Sequence, residues 1–275
     1  MKVALVCCGR LENRYVIEFV EYYKQLGFDH IYIADNNREN EEHFEDVLQS
    51  YIDDNFVTIY NYRHINEYIH YASYIDIYNK IPNDYDWAAF YDFDEFLTLV
   101  QDINIKDYLS RDCFKDANQI LINWKTYTDN NFVYDDERPC LERFTEPMEL
   151  YKKAEPNDWC ITNEIIKCIV KTKLKDVQLK TNHLFVNDIL ESTTYNSIGE
   201  LVSIMEYWQP IHYELAYIKH FPTKTIDEWV HYKLLRGSGT YKELFYKEYN
   251  IDRFFKYNEK TPEKLKYLKE NNISI

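Results

Sequence analysis

The sequence predicts an α/β protein built on a mostly parallel sheet, and three observations carry this prediction. Short apolar, β-branched runs alternate with helical patterns in the first part of the chain, as βαβ units do. Of its 275 residues, 45% are hydrophobic and 17% aromatic, which excludes extensive disorder. The chain contains 5 Gly, too few for a collagen-like or glycine-rich repeat.

The elements of the first half follow in order from their residues. Val3–Cys8 is a short apolar run and predicts a strand. The next helix has apolar residues at helical spacing, and Gly27 ends it. The same alternation then predicts strands His30–Ala34, Phe56–Tyr60 and Trp87–Tyr91, with helices Glu41–Tyr51 and Tyr68–Asn79 between them.

The pattern weakens in the second half. The polar segment 129–158 predicts a long excursion or flap. Thr225 and Glu228 have the spacing of a capping box, so a helix is expected to open at Thr225 and to end at Gly237. Further strands are predicted at Gln119–Trp124, Ile165–Val170, Gln178–Lys180 and Ile218–His220, and terminal helices at Tyr241–Tyr249 and Pro262–Asn271.

The charge of the chain is segregated. Lys219–Ile275 carries 12 basic and 8 acidic residues, a net +4, whereas the chain as a whole carries −15. Such a chain repels nucleic acid, so no nucleic-acid partner is predicted. The basic end either meets a partner of its own or simply has solvated faces.

The cysteines and the hydropathy pattern predict a reduced, cytoplasmic protein. None of the six cysteines forms a C-x-x-C motif, and the adjacent pair Cys7 and Cys8 lies in an apolar run that indicates buried thiols. The N-terminal apolar run is too short for a secretory signal. No window reaches the about 20 apolar residues that a membrane span needs.

Topology indicates where a ligand would bind. In open α/β sheets, ligands bind beyond the carboxyl ends of the parallel strands. The segments to inspect are therefore Gly9–Asn13, Asp35–Asn37, Tyr62–His64 and Asp92–Glu95. The chain has no standard glycine-rich phosphate-binding motif.

The strongest local signal is the pair of carboxylates that follows the strand at Trp87. Asp92 and Asp94 alternate along an extended segment and can therefore face the same side. Two such carboxylates suit Mg²⁺ or Mn²⁺ as oxygen ligands. The alternative is an acidic turn without a metal. Glu95 either orders the loop or contacts an acceptor.

Other candidates each have a structural alternative. Asp35 could accept hydrogen bonds from a ribose or form a turn, and His183 could ligate the cation or be a satisfied imidazole. Lys233 and Arg236 lie one helical turn apart and, with Lys224, could reach a diphosphate or form a solvated basic face. His212 and His220 are further candidates.

Four motifs resemble those of bacterial GT-A glycosyltransferases related to glycosyltransferase family 2 and family 92. Arg10–Phe19, RLENRYVIEF, resembles K-N-E-x-x-Y-[IL]-x-E-W, and Leu26–Asn37, LGFDHIYIADNN, resembles L-G-F-D-H-I-Y-I-Y-D-N-N-S. Trp87–Leu97, WAAFYDFDEFL, matches W-x-x-F-x-D-x-D-E-F-L, and the segment from His220 to Gly237 resembles H-Y-x-x-K-S-x-E-E-F…K…R-G. The sequence departs from the pattern at Leu11, Phe19 and Phe221, where the family has Asn, Trp and Tyr.

The resemblance implies a GT-A fold, which is a Rossmann-like mixed sheet flanked by helices, here with a helical C-terminal extension. It also implies a UDP-sugar or similar donor and an inverting transfer in bacterial capsule or lipopolysaccharide synthesis. It implies Mn²⁺ or Mg²⁺ held by Asp92, Asp94 and His183. The residues expected to bind the donor are Arg10, Glu12, Asp35, Asn37, Arg63, Phe93, Lys224 and Arg236. Glu164 is expected to be the catalytic base, with Asp158 as the rival.

The resemblance also suggests a domain organisation and an acceptor. Residues 1–218 would form the catalytic domain, with the nucleotide-binding half at about 1–100 and the acceptor half at 101–218, and residues 219–275 a basic helical segment packed on it. The acceptor would be a saccharide or lipid-linked saccharide, and the basic end could rest on the inner membrane surface. Two alternatives remain, a binding protein that lost turnover and a sugar nucleotidyltransferase, which would normally have a glycine-rich basic loop after the first strand.

Overall fold

A computed structural model describes residues 1–148, 162–204, 208–236 and 250–274. A nine-stranded sheet dominates the structure. Helices cover both of its faces. This mixed sheet flanked by helices confirms the predicted α/β class.

The first half of the sheet is parallel. Its strands are β1 Val3–Gly9, β2 His30–Asp35, β3 Val57–Asn61 and β4 Trp87–Phe90. The helices α1 Asn13–Gln25, α2 Glu45–Asp53 and α3 Ile69–Lys80 connect them. All neighbouring pairs in this half run parallel. The βαβ prediction is therefore confirmed.

The second half of the sheet is mixed. Its strands are β5 Glu95–Leu99, β6 Gln119–Thr126, β7 Ile166–Lys171, β10 Thr194–Asn196 and β11 Ala216–His220. The strand order of the whole sheet is β3-β2-β1-β4-β7-β6-β11-β5, with β10 beside β6. β7 runs antiparallel to both β4 and β6, while β11 runs parallel to β6 and antiparallel to β5. A separate hairpin joins β8 Gln178–Thr181 to β9 Leu184–Val186. Two short helices, α4 Ile105–Leu109 and α5 Cys140–Arg143, lie in the connections.

Alternate residues of β1 enter two apolar cores, one on each face of the sheet. Leu5 and Cys7 pack in the same cluster as Phe19 of α1 and Leu48 of α2. The neighbouring residues Ala4, Val6 and Cys8 pack on the other face, with Tyr74 and Ile77 of α3. Because side chains alternate along a strand, an apolar run without polar residues is what a strand covered on both faces requires.

The C-terminal elements have a small core of their own. α6 Ile226–Glu228 continues through a π-helical turn, Trp229–Lys233, into α7 Leu234–Arg236. α8 Ile251–Tyr257 and α9 Pro262–Glu270 follow. Phe254 and Leu268 pack against Ile226 and Trp229, so the apolar sides of α8 and α9 face α6 and the π-helical turn. The predicted packing of residues 219–275 as a unit on residues 1–218 and the contact with a membrane both stay predictions.

Several boundaries differ from those predicted. α2 begins at Glu45 rather than Glu41, because the Glu41 carboxylate binds Arg10 and that of Glu42 accepts a hydrogen bond from the Asn13 N–H. The sequence patterns did not reveal β5, which directly follows the acidic turn. The predicted helix Tyr241–Tyr249 and the end of the flap lie outside the described residues. No helix within the described residues is both long and apolar enough to cross a membrane.

Candidate functional site

The carboxyl ends of the four parallel strands meet at one edge of the sheet. Gly9 of β1 lies beside Asp35 of β2, which in turn pairs with Asn61 of β3. β4 lies on the other side of β1 and leads into Asp92. The segments selected from topology therefore gather at this edge, as predicted.

Three carboxylates, Asp92, Asp94 and Glu95, form what we call the acidic centre. The turn is closed by Glu95, whose Oε2 accepts a hydrogen bond from the Asp92 N–H at 2.9 Å. Glu95 then begins β5, opposite His220 of β11. Asp94 and Glu95 are buried, and Asp92 is partly exposed. Three acidic groups this close need compensating positive charge.

Lys167 of β7 supplies part of this compensation. Its side chain is completely buried, and its Nζ lies 2.7 Å from Asp92 Oδ2 and 3.3 Å from Glu95 Oε2. Burial alone would lower the pKa of Lys167, but the two carboxylates outweigh it and raise this pKa. Burial likewise opposes ionisation of Asp92, yet Lys167 and His70 hold the Asp92 pKa well below its usual range. Asp92 and Lys167 are therefore a charged pair.

Asp94 faces a different set of groups. Its Oδ2 lies 3.2 Å from Lys233 Nζ, and its Oδ1 lies 4.0 Å from His220 Nε2. Three potential ligand atoms, one each from Asp94, Glu95 and His220, lie within 4.8 Å of one another. In the described part of the chain, this is the one group of three side chains close enough to share a cation. The predicted ligand set shares only Asp94 with this group, and the roles of Asp92 and His183 as ligands stay predictions.

The chemistry of this group fits a divalent cation. Glu95 Oε1 and His220 Nδ1 are buried and have no hydrogen-bond partner among the residues that the structure describes. Burial lowers the pKa of His220 to about 4, with the charges of Lys233 and Lys167 adding to the effect. A neutral imidazole and two carboxylates offer nitrogen and oxygen ligands that suit Mn²⁺.

His183 lies close to this group but is engaged differently. Its Nδ1 lies 3.0 Å from the Ile166 carbonyl oxygen. Trp124 contacts both imidazoles, edge-on to His183 with centroids 5.4 Å apart and stacked on His220 at 3.9 Å. The charges of Lys167 and Asp92 act on His183, but its role as a cation ligand stays a prediction.

A second polar cluster surrounds Asp35. Its Oδ2 accepts hydrogen bonds from Arg63 Nε at 2.8 Å and Nη2 at 2.6 Å, and its Oδ1 accepts from the N–H and the side-chain amide of Asn37. Asn37 Oδ1 in turn accepts from the Leu11 N–H at 2.8 Å. The structure thus brings together three predicted donor-binding residues, Asp35, Asn37 and Arg63, and it saturates the Asp35 carboxylate.

The loop after β1 connects this cluster to α7. Arg10 binds Glu41 through two hydrogen bonds, and Arg236 forms an ion pair with Glu12. Leu11 has φ 56°, a left-handed conformation that the Asn of the family motif adopts more easily than Leu. Such strain is typical of functional loops.

Phe93 and Lys224 lie in less accessible positions. The Phe93 ring packs against Phe19 and Phe44 in the core, and a Cβ at position 9 would lie 2.4 Å from it, so this position requires Gly9. Lys224 Nζ lies 4.1 Å from the centroid of the Tyr15 ring. Burial opposes ionisation of Asp94, but Lys233, His220 and, to a smaller extent, Lys224 outweigh it and lower the Asp94 pKa.

Glu164, the predicted base, lies at the same edge of the sheet, three residues before Lys167. Its N–H donates to Thr162 Oγ1 at 3.1 Å, and Thr162 Oγ1 lies 3.3 Å from Glu164 Oε2. The rival Asp158 lies outside the described residues. Neither role is tested by this geometry.

A buried ionic network holds the helical segment that carries Lys233 and Arg236. Glu228 completes the predicted capping box with Thr225. Its carboxylate also accepts two hydrogen bonds of 2.8 Å from Arg143 and one of 2.9 Å from the Tyr15 hydroxyl. The segment is therefore fixed to both α1 and α5 just before it reaches Asp94.

Sequence reasoning did not reveal three residues of the centre, Lys167, His70 and Tyr74. The last two contact Asp92 Oδ1, at 3.4 Å and 3.1 Å. A lysine inside the apolar run Ile165–Val170 was the available signal, since a lysine on a strand covered on both faces needs a carboxylate partner. His70 and Tyr74 are one turn apart on α3, but their spacing does not distinguish them from core residues.

The fold and the acidic centre define an α/β protein whose ligand site lies at the carboxyl ends of parallel strands. The model of glycosyltransferase family 92 matches residues 4–234, and the chain belongs to this family. The resemblance to family 92 and the prediction of a glycosyltransferase are thereby confirmed. No curated protein sequence matches the chain.

Solved structures resemble the chain distantly. The structure of S. aureus TarS 1–349 is 12% identical, with a TM-score of 0.43 over 77% of this chain and 60% of that one. Another structure of S. aureus TarS is 10% identical, with a TM-score of 0.36 over 50% of this chain and 23% of that one. The chain thus spans less than two thirds of either TarS chain. A protein from Bacillus anthracis assigned as a glucose-1-phosphate thymidylyltransferase, in complex with a sucrose, is 15% identical, with a TM-score of 0.38 and coverages of 74% and 87%.

Proposed function

We propose that the protein transfers a sugar from a nucleotide-diphosphate donor, a UDP-sugar, to a hydroxyl group of a saccharide or lipid-linked saccharide. One observation carries this proposal: a family 92 chain places Asp94, Glu95 and His220 within 4.8 Å of one another at the edge where the parallel strands end. This arrangement of ligands supports a divalent cation at the centre of the reaction. We further propose inversion at the anomeric carbon and a role in bacterial surface polysaccharide synthesis on the cytoplasmic side.

Asp94, Glu95 and His220 would hold Mn²⁺ or Mg²⁺, with Asp92 and His183 beside them. A bound cation of this kind stabilises the negative charge of a leaving diphosphate. Asp92 is held by Lys167, so its part is to fix the turn and to add negative charge next to the ligands. The resemblance implies Asp92, Asp94 and His183 as the ligands. In this assignment His220, rather than His183, supplies the nitrogen ligand.

Lys224, Lys233 and Arg236 are the groups proposed to bind the diphosphate. Lys233 lies against Asp94 in the acidic centre, whereas Arg236 is paired with Glu12 in the loop after β1. A diphosphate that enters would exchange these carboxylate contacts for phosphate oxygens, which Lys and Arg bind well. The contact of Lys224 with Tyr15 keeps a third positive charge in reach of Asp94.

The nucleoside is proposed to bind at the Asp35 cluster, between the loops after β1, β2 and β3. Because the Asp35 carboxylate already accepts four hydrogen bonds, a direct contact with a ribose hydroxyl requires exchange of one bond from Arg63. Arg10, Glu12 and Asn37 shape the same loops. Phe93 supports them from the core beneath Gly9.

The acceptor hydroxyl must lose a proton as it attacks, and we propose Glu164 as the base, with Asp158 as its rival. The test is a transfer assay in which nucleoside diphosphate release from UDP-sugars is followed with Mn²⁺ and a saccharide acceptor. Glu164→Gln removes the proton acceptor and leaves the acidic centre intact, so donor binding is expected to persist while transfer falls by about 10²-fold or more. Loss of donor binding in this variant would contradict its assignment as base.

Asp188→Asn is the matched control for the same assay, because Asp188 is exposed and lies away from the acidic centre. We expect it to transfer at the wild-type rate. Wild-type transfer that is equally fast in EDTA would contradict the proposed cation. Absence of release from every nucleotide sugar by the folded protein would contradict the proposed function.

A further inference from the structure

Two lysines lie side by side on β6 and β11. The parallel register puts Lys125 opposite Lys219. Within the part of the chain that the structure describes, neither lysine forms an ion pair with a carboxylate, and each lies over aromatic rings instead. Burial lowers the pKa of Lys219, and the charge of Lys125 lowers it further. Like charges directly opposite each other on neighbouring strands destabilise a sheet, so this pair is unfavourable for the fold alone.

Three tyrosines surround the two lysines. Lys125 Nζ lies 4.9 Å from the centroid of the Tyr217 ring and 5.5 Å from that of Tyr213. The centroids of these two rings are 5.5 Å apart, and Lys219 Nζ lies 5.8 Å from the Tyr127 ring. We call Lys125, Lys219, Tyr127, Tyr213 and Tyr217 the Lys–Tyr patch. It combines apolar ring faces with two positive charges.

The patch reaches the end of β11 at which the acidic centre begins. Lys219 directly precedes His220, and side chains alternate along a strand, so the two side chains point to opposite faces of the sheet. Tyr213, Tyr217, Lys219 and Lys125 are half-buried and can contact a ligand, whereas Tyr127 and His220 are buried, so Tyr127 only supports Lys219 from the core. A ligand on the patch could therefore extend past the end of the strand towards the acidic centre.

We infer that the Lys–Tyr patch binds an anionic oligosaccharide and that this is the acceptor of the reaction, an inference that rests on the proposed function. The choice of an anionic ligand rests on charge complementarity. The chain has a net charge of −15, yet these two adjacent lysines have no carboxylate partner among the described residues. An anion bound at the patch would compensate their positive charge. Aromatic rings suit the apolar faces of sugar rings, and carboxylate or phosphate groups on the sugar would bind the ammonium groups. A neutral glycan would leave the repulsion between the lysines in place.

The experiment measures binding of hexagalacturonate by isothermal titration calorimetry, in EDTA and without nucleotide. The wild-type protein is expected to bind it, and to bind it more weakly as salt is added, because charge–charge attraction is screened. Lys125→Met and Lys219→Met keep the aliphatic stems and remove the charges. Each is expected to weaken binding by about tenfold, since hydrogen bonds to charged groups have about that effect on a dissociation constant.

Lys115→Met is the matched control, because Lys115 is an exposed lysine outside the patch. It should bind hexagalacturonate as the wild type does, and thermal unfolding of all variants verifies that each is folded. Equal binding by the double variant Lys125→Met/Lys219→Met, or no wild-type binding, would overturn the inference. So would equally tight binding of neutral cellohexaose, or a preference for phosphatidylglycerol vesicles over hexagalacturonate.

This experiment separates the inference from the proposed function, because it uses neither donor nor cation. If hexagalacturonate binds through the two lysines while no nucleotide sugar is used, the patch binds an anionic saccharide, but the proposed function and the role of that saccharide as acceptor both fail. If sugar transfer proceeds while the double variant has the wild-type KM for an anionic acceptor, only the patch is wrong.

Discussion

At the scale of single residues, Lys167 is the most informative side chain of the acidic centre. It is fully buried between Asp92 and Glu95. Removing one partner of a buried ionic group is strongly destabilising because the remaining charge has neither water nor a counter-ion. Lys167 therefore explains how the protein folds with three carboxylates at the end of one strand.

We predict that Lys167→Met lowers the free energy of unfolding by about 3–5 kcal/mol. Urea denaturation monitored by circular dichroism measures this change. Lys175→Met, at an exposed position in the turn after β7, is the control and should change stability by less than about 0.5 kcal/mol.

A second substitution tests whether loss of charge compensation causes the destabilisation by Lys167→Met. Adding Asp92→Asn to Lys167→Met removes the carboxylate that lies 2.7 Å from Lys167 Nζ in the wild type, so the double variant should regain part of the lost stability. If Lys167→Met is as stable as the control, Lys167 does not compensate the acidic centre.

At the scale of elements, the helical segment from Ile226 to Arg236 brings positive charge to the centre. Its N-terminus is fixed by the capping box and by the buried pair of Glu228 with Arg143. The π-helical turn Trp229–Lys233 then follows, and such turns are often found at functional sites. A rigid start followed by an irregular turn positions Lys233 against Asp94.

Glu228→Gln is predicted to destabilise the protein by about 3 kcal/mol, because the buried Arg143 guanidinium loses its closest carboxylate and keeps only the longer contacts with Asp135 and Asp136. The control is Glu263→Gln, an exposed glutamate in the first turn of α9, which should have an effect below about 0.5 kcal/mol. Guanidinium denaturation of both variants gives the comparison. Similar effects for the two would show that the network contributes little.

Elements differ in how well the sequence predicts them. β1 to β4 were predictable because strands covered on both faces need uninterrupted apolar residues, as in Val3–Cys8. β5 was not, because its first residue, Glu95, is part of the acidic turn and local patterns indicate a loop there. The predicted cation ligands were incomplete for a related reason. His220 joins Asp94 only through the antiparallel pairing of β11 with β5, a long-range contact that no local spacing records.

At the scale of the whole molecule, stability depends on pH through buried groups with opposing effects. Burial lowers the pKa values of His30, His183 and His220, so these side chains favour unfolding as the pH falls below the ordinary histidine value of about 6.5. Burial and the neighbouring aspartates instead raise the pKa of Glu95, so protonation of this group favours the folded state. The total pH dependence is a sum of the two.

The contribution of His30 can be isolated, because it lies on β2 away from the acidic centre. Its folded-state pKa is lowered, so its contribution to stability is present above about pH 6.5 and is lost as the pH falls. The stability difference between wild type and His30→Gln should therefore shrink between about pH 7.5 and about pH 5.5, by up to about 1.4 kcal/mol. Urea denaturation at both pH values measures it, and a difference that grows towards acid would contradict the burial effect.

The account as a whole depends on the acidic centre being a cation-dependent nucleotide site. The most direct test is the thermal shift of the protein with UDP and Mn²⁺, compared with UDP in EDTA. A ligand that binds only the folded state raises the melting temperature by mass action. We predict a rise that requires Mn²⁺, that is lost in Asp94→Asn, and that persists in the exposed-site control Asp188→Asn. A rise of equal size in EDTA, or one that Asp94→Asn retains, would contradict the central claim.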